Sequence, residues 1–332
     1  MDGRGESGTA IAAVVFNPLK VDEARVRAAV RAAAERAGVR ELLWLATTVD
    51  DAGQQLTRDA LAAGATLVLA AGGDGTVRAV VEGLRDTDAR LAILPSGTGN
   101  LLARNLGVPY GRLDLACAIA FEGDTRRIDV GLARVTREDG SRLEHAFLVM
   151  AGVGIDAALL ANTRPRLKRS VGWLAYVDAG FRALPKAQKV RIGYALDGGP
   201  RRTAQVSTIL VANCGSLPGN IELIPDALVD DGLLDIAVMQ PRSFFGWLMI
   251  WRKVTWENRV LRRSALGRRI IRFTERAIRT ELSYLRAASV HLTVERPEPF
   301  ELDGDGLGEL VGVELRVDAG GLAVQVPARR AS

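Results

Sequence analysis

Two glycine-rich segments carry the residue types from which phosphate chemistry is built. The first, Leu67-Val-Leu-Ala-Ala-Gly72-Gly73-Asp74-Gly75-Thr76, is an apolar run that ends in a glycine loop and leads into a helix. Glycines let backbone N–H groups approach phosphate oxygens closely, and the helix N-terminus that follows adds a dipole favouring negative charge. A carboxylate inside such a loop is a poor direct phosphate ligand. Asp74 therefore serves another purpose, either handling a Mg2+ or a hydroxyl proton, or capping the helix in a tight strand-to-helix turn. The second segment, Leu94-Pro95-Ser96-Gly97-Thr98-Gly99-Asn100, follows the next apolar run. Together the loops form a polar cradle suited to a polyphosphate. The P-loop pattern G-x-x-x-x-G-K-[ST] is missing and Gly72–Thr76 is not G-x-G-x-x-G, which argues against a P-loop NTPase and a standard dinucleotide dehydrogenase.

The elements that must hold these loops follow from hydrophobic periodicity. Apolar runs at Ile11–Phe16, Glu41–Ala46, Ala65–Ala71 and Leu91–Leu94 read as buried parallel strands. Ala-rich stretches with helical spacing, Val21–Ala37, Ala52–Ala63 and Thr76–Leu84, lie between them. This alternation predicts a doubly wound α/β sheet, whose ligands bind at the carboxyl ends of the strands, where both loops fall. From about residue 125 the texture changes. Arg127–Val135, His145–Ala151, Lys189–Leu196, Thr203–Asn213, Leu233–Met239, Val290–Val294 and Val311–Val317 read as strands of a mainly antiparallel β domain. Helical inserts are predicted near Gly172–Leu184 and Phe244–Arg286. The predicted domains are 1–124 and 125–332.

The chain of 332 residues is 48% apolar and 25% charged, which excludes wholesale disorder. Two cysteines, Cys117 and Cys214, exclude a disulfide framework and are too few for a structural zinc site. The start of the chain does not read as a signal peptide and no apolar run of ~20 residues suggests a membrane span, so a cytoplasmic location is expected. The net charge of +5 is unevenly placed. Residues 241–290 hold twelve Arg or Lys against three Glu, and three of the five tryptophans. Phe244, Trp247, Leu248 and Trp251 share a helical face there. Trp247, Trp251, Arg252 and Trp256 are thus candidates to face an anionic membrane surface, where rings sit at headgroup depth and Arg meets lipid phosphate. The competing reading is an amphipathic helix packed on the β domain with its Arg face outward. A nucleic-acid partner is not expected, since no nucleic-acid-binding module is recognisable.

The two loops together resemble the diacylglycerol kinase catalytic family, which includes bacterial lipid kinases and the sphingosine and ceramide kinases. Gly72-Gly-Asp-Gly-Thr76 is shared with NAD kinases and, loosely, phosphofructokinases, whereas the second loop running on through Arg104-Asn-Leu-Gly107 is specific to the lipid branch. Asn17-Pro18, Ile128-Asp129-Val-Gly131, Gly152-Val-Gly154-Ile-Asp156, Gly172-Trp-Leu-Ala-Tyr176, Pro225–Gly232 and Leu302-Asp303-Gly304-Asp305 extend the resemblance over nearly the whole chain. It implies an N-terminal α/β domain like that of NAD kinases and phosphofructokinases, then a C-terminal antiparallel β-sandwich, with ATP across the cleft between them. Gly72, Gly73, Asp74, Gly75 and Thr76 would line the phosphates with Asn17, Thr47, Thr48, Gly97, Thr98 and Asn100. Asp231 and the carbonyls of Leu228 and Leu233 match a family Mg2+ site, with Asp129 tying it indirectly to the chemistry. An Asp-Asp-Gly turn is what Asp230–Gly232 suggests without the resemblance.

The family's catalytic base usually sits in an Asp-Gly-Glu triplet, which here is Asp303-Gly304-Asp305. Asp305, with Asp303 and Asp74 as stand-ins, would help a lipid hydroxyl attack the γ-phosphate. Lys20 and Arg78 replace common family residues and are either phosphate contacts or surface charges. The implied function is an ATP- and Mg2+-dependent lipid kinase acting on diacylglycerol or a related lipid, peripherally bound to the membrane. A second copy of the chain is a candidate partner. The alternatives are an NAD-kinase-like phosphotransferase with a soluble substrate and an inactive nucleotide-binding regulator.

Overall fold

The computed structural model describes residues 11–97, 99–154, 189–217, 221–222, 224, 227–240 and 282–328. Thr98, the predicted helix at 172–184 and the candidate membrane residues Trp247, Trp251, Arg252 and Trp256 lie outside them. The chain divides into two compact units, residues 1–128 with 320–332 and residues 129–319. The predicted boundary at 124/125 and these limits differ chiefly at the C-terminus, where the run Leu322-Ala-Val324 belongs to the first unit.

In the first unit the order is β1 (Ile11–Phe16), α1 (Glu23–Arg36), β2 (Glu41–Ala46), α2 (Gln54–Ala62), β3 (Ala65–Gly72), α3 (Asp74–Leu84), β4 (Arg90–Pro95), α4 (Leu101–Asn105) and α5 (Leu113–Glu122). All strand pairs are parallel, in the order β2-β1-β3-β4, and the end of β16 (Asp305–Val326) closes the sheet beside β4 through Ala323 and Val324. Both sheet faces are covered, so the strands are apolar throughout: Val14, Val15, Val68, Leu69, Ala70 and Leu91 are wholly inaccessible. The chain moves one way from β1 to β2 and the other way from β3 to β4. Right-handed crossovers then put α1 on one face and α2 with α3 on the other, and the observed pairing of α1 with α5 and of α2 with α3 agrees. The strand order thus reverses between β1 and β3, and a crevice opens there at the carboxyl ends.

The second unit is antiparallel β, built from β5 (Asp124–Thr136), β6 (Arg142–Phe147), β7 (Met150–Val153), β8 (Val190–Leu196), β9 (Arg202–Val206), β10 (Thr208–Ala212), β11 (Ser216–Leu217), β12 (Ile221–Glu222), β13 (Leu234–Met239), β14 (Leu282–Ala287), β15 (Ser289–Leu302) and most of β16; β5, like β16, also has one end in the first unit. One sheet runs β14-β13-β10-β7-β15-β16. The long β15 slips register between Thr293 and Glu298; its first half pairs with β8 and its second with β7. A strand that changes neighbours at a bulge is how a sandwich turns its corner. Phe147, Phe300, Ile192, Leu234, Ile236, Leu302 and Leu315 fill the core.

Three expectations need correction. Residues 282–286, assigned to the basic helical insert, belong to β14, where Ile236 faces Leu285 and Val238 faces Ser283 across an antiparallel pair. The Arg-rich periodicity upstream masks this short alternating stretch. The predicted strand His145–Ala151 is interrupted at Leu148 and Val149, whose N–H groups turn to a side chain instead of a neighbouring strand. The predicted strand Thr203–Asn213 is two strands parted at Ser207.

Candidate active site

The switch point between β1 and β3 is lined by the turn Asn17–Lys20 and by the first glycine loop. The Asn17 N–H donates to the Ala71 carbonyl, and its side-chain Oδ1 accepts from the Leu19 N–H at 2.9 Å. This Asx turn swings Lys20 back over the loop. A Cβ on Gly73 would come within 2.9 Å of the Lys20 Nζ. The loop then opens α3, whose first N–H groups have no carbonyl within the helix to bond, so a cation and helix-end amides share one place.

The second glycine loop lies directly against the first. A Cβ on Gly97 would sit 2.8 Å from the Gly73 Cα, an approach that only two glycines allow. Asp74 reaches across: its Oδ2 accepts from the Asn100 N–H at 2.8 Å and its Oδ1 from the Leu101 N–H at 2.6 Å. It therefore caps α4 from another helix, a favourable position for a carboxylate. Asn100 is buried in the left-handed region, with φ 47° and ψ 52°, which Asn tolerates better than most residues. Its side-chain amide clamps Gly97 at both the N–H and the carbonyl. The Arg104 guanidinium donates to the Gly99 carbonyl at 2.8 Å while lying over the Tyr110 ring. Arg104 is a brace that sequence reasoning quoted only as part of a motif.

Other predicted site residues fall nearby in different roles. The buried Thr76 packs its side chain against Gly72. Thr47 continues the β1–β2 pairing through its N–H to the Phe16 carbonyl, and the exposed Thr48 hydroxyl accepts from the Asp51 N–H. Gly72, Gly73, Asp74, Gly97, Asn100 and Lys20 are brought together, and the polar side chains among them mostly shape backbone. Among the described residues, the cradle offers an anion the helix-end N–H groups of α3 and the Lys20 ammonium.

In the second unit, Leu302 and Asp305 face each other across a two-residue turn, Asp303-Gly304, with φ 52° and 85°. These values suit a type I′ hairpin, for which Asp-Gly is a preferred pair. Asp305 is exposed, whereas Asp303 is buried and its carboxylate accepts from Leu148 N–H at 2.9 Å, Val149 N–H at 2.8 Å and Met150 N–H at 3.0 Å. Three successive amides turned to one anion explain why β6 and β7 are separate strands.

The Asp231 loop is held from Asp129. The Asp129 Oδ2 accepts from the Gly232 N–H at 2.7 Å, and the Asp129 N–H donates to the Val229 carbonyl. Asp231 caps its own turn at the Leu233 N–H, and its Oδ2 lies 3.3 Å from Arg286, which also binds Asp235 at 2.7 Å. Arg286, counted with the basic segment on sequence grounds, is thus tied to two carboxylates. Among the described residues no group of three or more His, Cys, Asp or Glu side chains is placed to hold a metal. No helix among them is long and apolar enough to cross a membrane.

Comparison with known proteins agrees with this architecture. The diacylglycerol kinase catalytic domain profile matches residues 12–133, and that of the YegS C-terminal NAD kinase beta sandwich-like domain matches residues 148–265. The fold is that of the diacylglycerol kinase class, and the chain belongs to that family. A Pseudomonas aeruginosa protein named "Probable lipid kinase YegS-like" is 33% identical over 323 residues, covering 95% of this chain and 94% of that one. A diacylglycerol kinase of Mycobacterium tuberculosis is 33% identical over 230 residues, 68% of this chain and 72% of its own length. The crystal structure of a diacylglycerol kinase from Bacillus anthracis shares the fold, with a TM-score of 0.67 at 20% identity over 97% of this chain and 98% of that one.

Proposed function

We propose that this kinase transfers the γ-phosphate of ATP to a hydroxyl of diacylglycerol or a related lipid alcohol. The observation that carries the nucleotide part is the double glycine loop at the β1/β3 switch point, braced by Asp74 and overlaid by Lys20. The helix-end N–H groups of the Gly73–Thr76 loop bind the phosphates, the second glycine loop holds that loop in place, and the Lys20 ammonium adds charge where the transferred group becomes most negative. Phosphoryl transfer gains mostly from such positioning and charge stabilisation. The lipid acceptor is supported by membership of the family.

Three carboxylates were candidates for the acceptor's proton. Asp74 and Asp303 are each committed to backbone amides that shape a loop, and Asp305 sits exposed on the turn. Asp305 takes the proton as the lipid oxygen attacks the γ-phosphorus, the bond from that phosphorus to the β,γ-bridging oxygen breaks, and ADP leaves. Mg2+ is implied by the family, and the donor set at the Asp231 loop fits it: a carboxylate and the Leu228 and Leu233 carbonyls are hard oxygens, and Asp129 and Asp235 keep the surroundings acidic despite Arg286. When bound there, Mg2+ supplies fixed positive charge and holds the loop's shape.

Residues 242–281, with eleven Arg or Lys against three Glu and the Trp-rich start, have the composition of a membrane-surface segment. Trp247, Trp251, Arg252 and Trp256 meet the lipid surface, and the enzyme works as a peripheral protein there. The deciding assay follows ATP consumption with a panel of lipid alcohols and, separately, NAD. Consumption with a lipid alcohol alone is expected. Consumption with NAD alone, or with no acceptor at all, overturns the reading.

A further inference from the structure

We propose that Asn213 is a positioning residue that couples the Asp231 loop to the Asp303-Gly304-Asp305 turn. The inference rests on the kinase reading only for its kinetic consequence, since the coupling itself is a property of the second unit.

Asn213 follows β10, the strand that lies between β7 and β13. Its N–H and that of Cys214 both donate to the Val149 carbonyl, at 2.8 and 3.3 Å. This fixes the side chain between two other segments. The Asn213 Nδ2 donates to the Asp129 carbonyl at 2.9 Å and to the Leu148 carbonyl at 3.2 Å. Asp129 holds Gly232 through its carboxylate, and Leu148 donates its N–H to Asp303. A continuous chain therefore runs Gly232, Asp129, Asn213, Leu148, Asp303, and Asp305 stands two residues beyond. Every link lies between residues of the second unit.

The job calls for a primary amide. Two carbonyls must be bridged by one atom with two N–H bonds and no net charge. A Ser or Thr hydroxyl has one hydrogen to give, Asp has none, and Lys or Arg brings a charge. Asn213 is 1% exposed and its Oδ1 has no donor among the described residues. Burying an amide oxygen without a partner is unfavourable, so the position holds Asn for the sake of the two bonds its nitrogen makes.

Hydrogen exchange on the full chain tests this directly. Gly232 has φ 73°, so Gly232→Ala strains the Asp231 loop. With Asn213 present, that change should accelerate exchange of the Leu148–Met150 amides about tenfold, the equivalent of losing one hydrogen bond. In an Asn213→Ser background the same change should leave those amides unmoved. Equal acceleration in both backgrounds, or none with Asn213 present, overturns the coupling. Should Asn213→Ser fail to fold, the reciprocal experiment applies: Asp303→Asn should accelerate exchange at Gly232, and an unchanged Gly232 overturns the proposal. Kinetically, Asn213→Ser should lower kcat about tenfold with KM for ATP changed less than about twofold, because the nucleotide loops belong to the other unit. An unchanged kcat contradicts the proposal. A wild-type chain without lipid phosphorylation contradicts only the kinase reading and leaves the exchange result standing.

Discussion

Each unit uses a buried or half-buried aspartate to brace a loop, and the two do so over very different lengths of chain. Asp74 caps Asn100 and Leu101, 26 and 27 residues ahead. Asp303 reaches Leu148, Val149 and Met150, 153 to 155 residues back. In the α/β unit, neighbouring βα turns place a carboxylate beside the next loop almost locally. In the β unit the same service requires a hairpin from the end of the chain to meet a break in a strand laid down far earlier. The local brace holds the proposed nucleotide cradle, and the distant one holds the turn proposed to carry the base.

The sharpest way to separate bracing from proton transfer is Asp305→Asn. A general base contributes about 10²- to 10⁴-fold, so kcat should fall by that factor while thermal stability stays at the wild-type value. A loss of stability equal to that of the bracing variants would merge the two roles. Asp303→Asn should also impair catalysis, but with a clear drop in Tm. An amide turns a donor towards three N–H groups, and leaving buried donors unpaired costs about 1–3 kcal/mol each at most. Asp74→Asn, with two donors and partial exposure, should lose less stability and should raise KM for ATP. If Asp74→Asn proves the more destabilising of the two, the comparison between local and distant braces fails.

Gly97→Ala is a steric version of the same question. Its Cβ would meet the Gly73 Cα at 2.8 Å, so the two glycine loops must separate, at a cost of about 1–3 kcal/mol as in other overpacked sites. A raised KM for ATP is expected, and an unchanged KM would remove the close loop contact from nucleotide binding. The smallest effect concerns Cys117 on α5. Burial, with Asp114 nearby, pushes its thiol up to about 11. The raised value means little thiolate at pH 8, so alkylation of the native protein should be far slower than that of a free thiol and should speed up only as pH nears 11. Rapid labelling of Cys117 at pH 8 would show that α5 opens readily.

How much of this was legible in the residues depends on which unit is considered. β1 and β2 fall where their apolar runs predict, and β3 and β4 extend theirs by a residue or two. Strands buried on both faces have no alternation to misread, and glycines mark their ends. Capping was already an alternative for Asp74, because a carboxylate next to a helix start has that use by its chemistry alone. The β unit was harder. The interruption at Leu148 and Val149 is caused by Asp303, which no local window contains, and β14 follows an Arg-rich stretch whose helical spacing dominates its six residues. Asn213 carried no motif, since its role is defined only by the two carbonyls that the fold brings to it. Among the three aspartates, composition could not distinguish brace from base; the amides held by Asp74 and Asp303 mark those two as braces, and the exposure of Asp305 supports its proposed role as base.

The most direct measurement is the fate of the γ-phosphate. Radiolabelled ATP is incubated with vesicles containing diacylglycerol, with wild-type protein and the Asp305→Asn variant, and the lipid is extracted. Label in a phosphorylated lipid with the wild type, and a loss of about 10²-fold or more with the variant, is the predicted result. Label confined to the aqueous phase with the wild type, or undiminished lipid labelling by the variant, would contradict it.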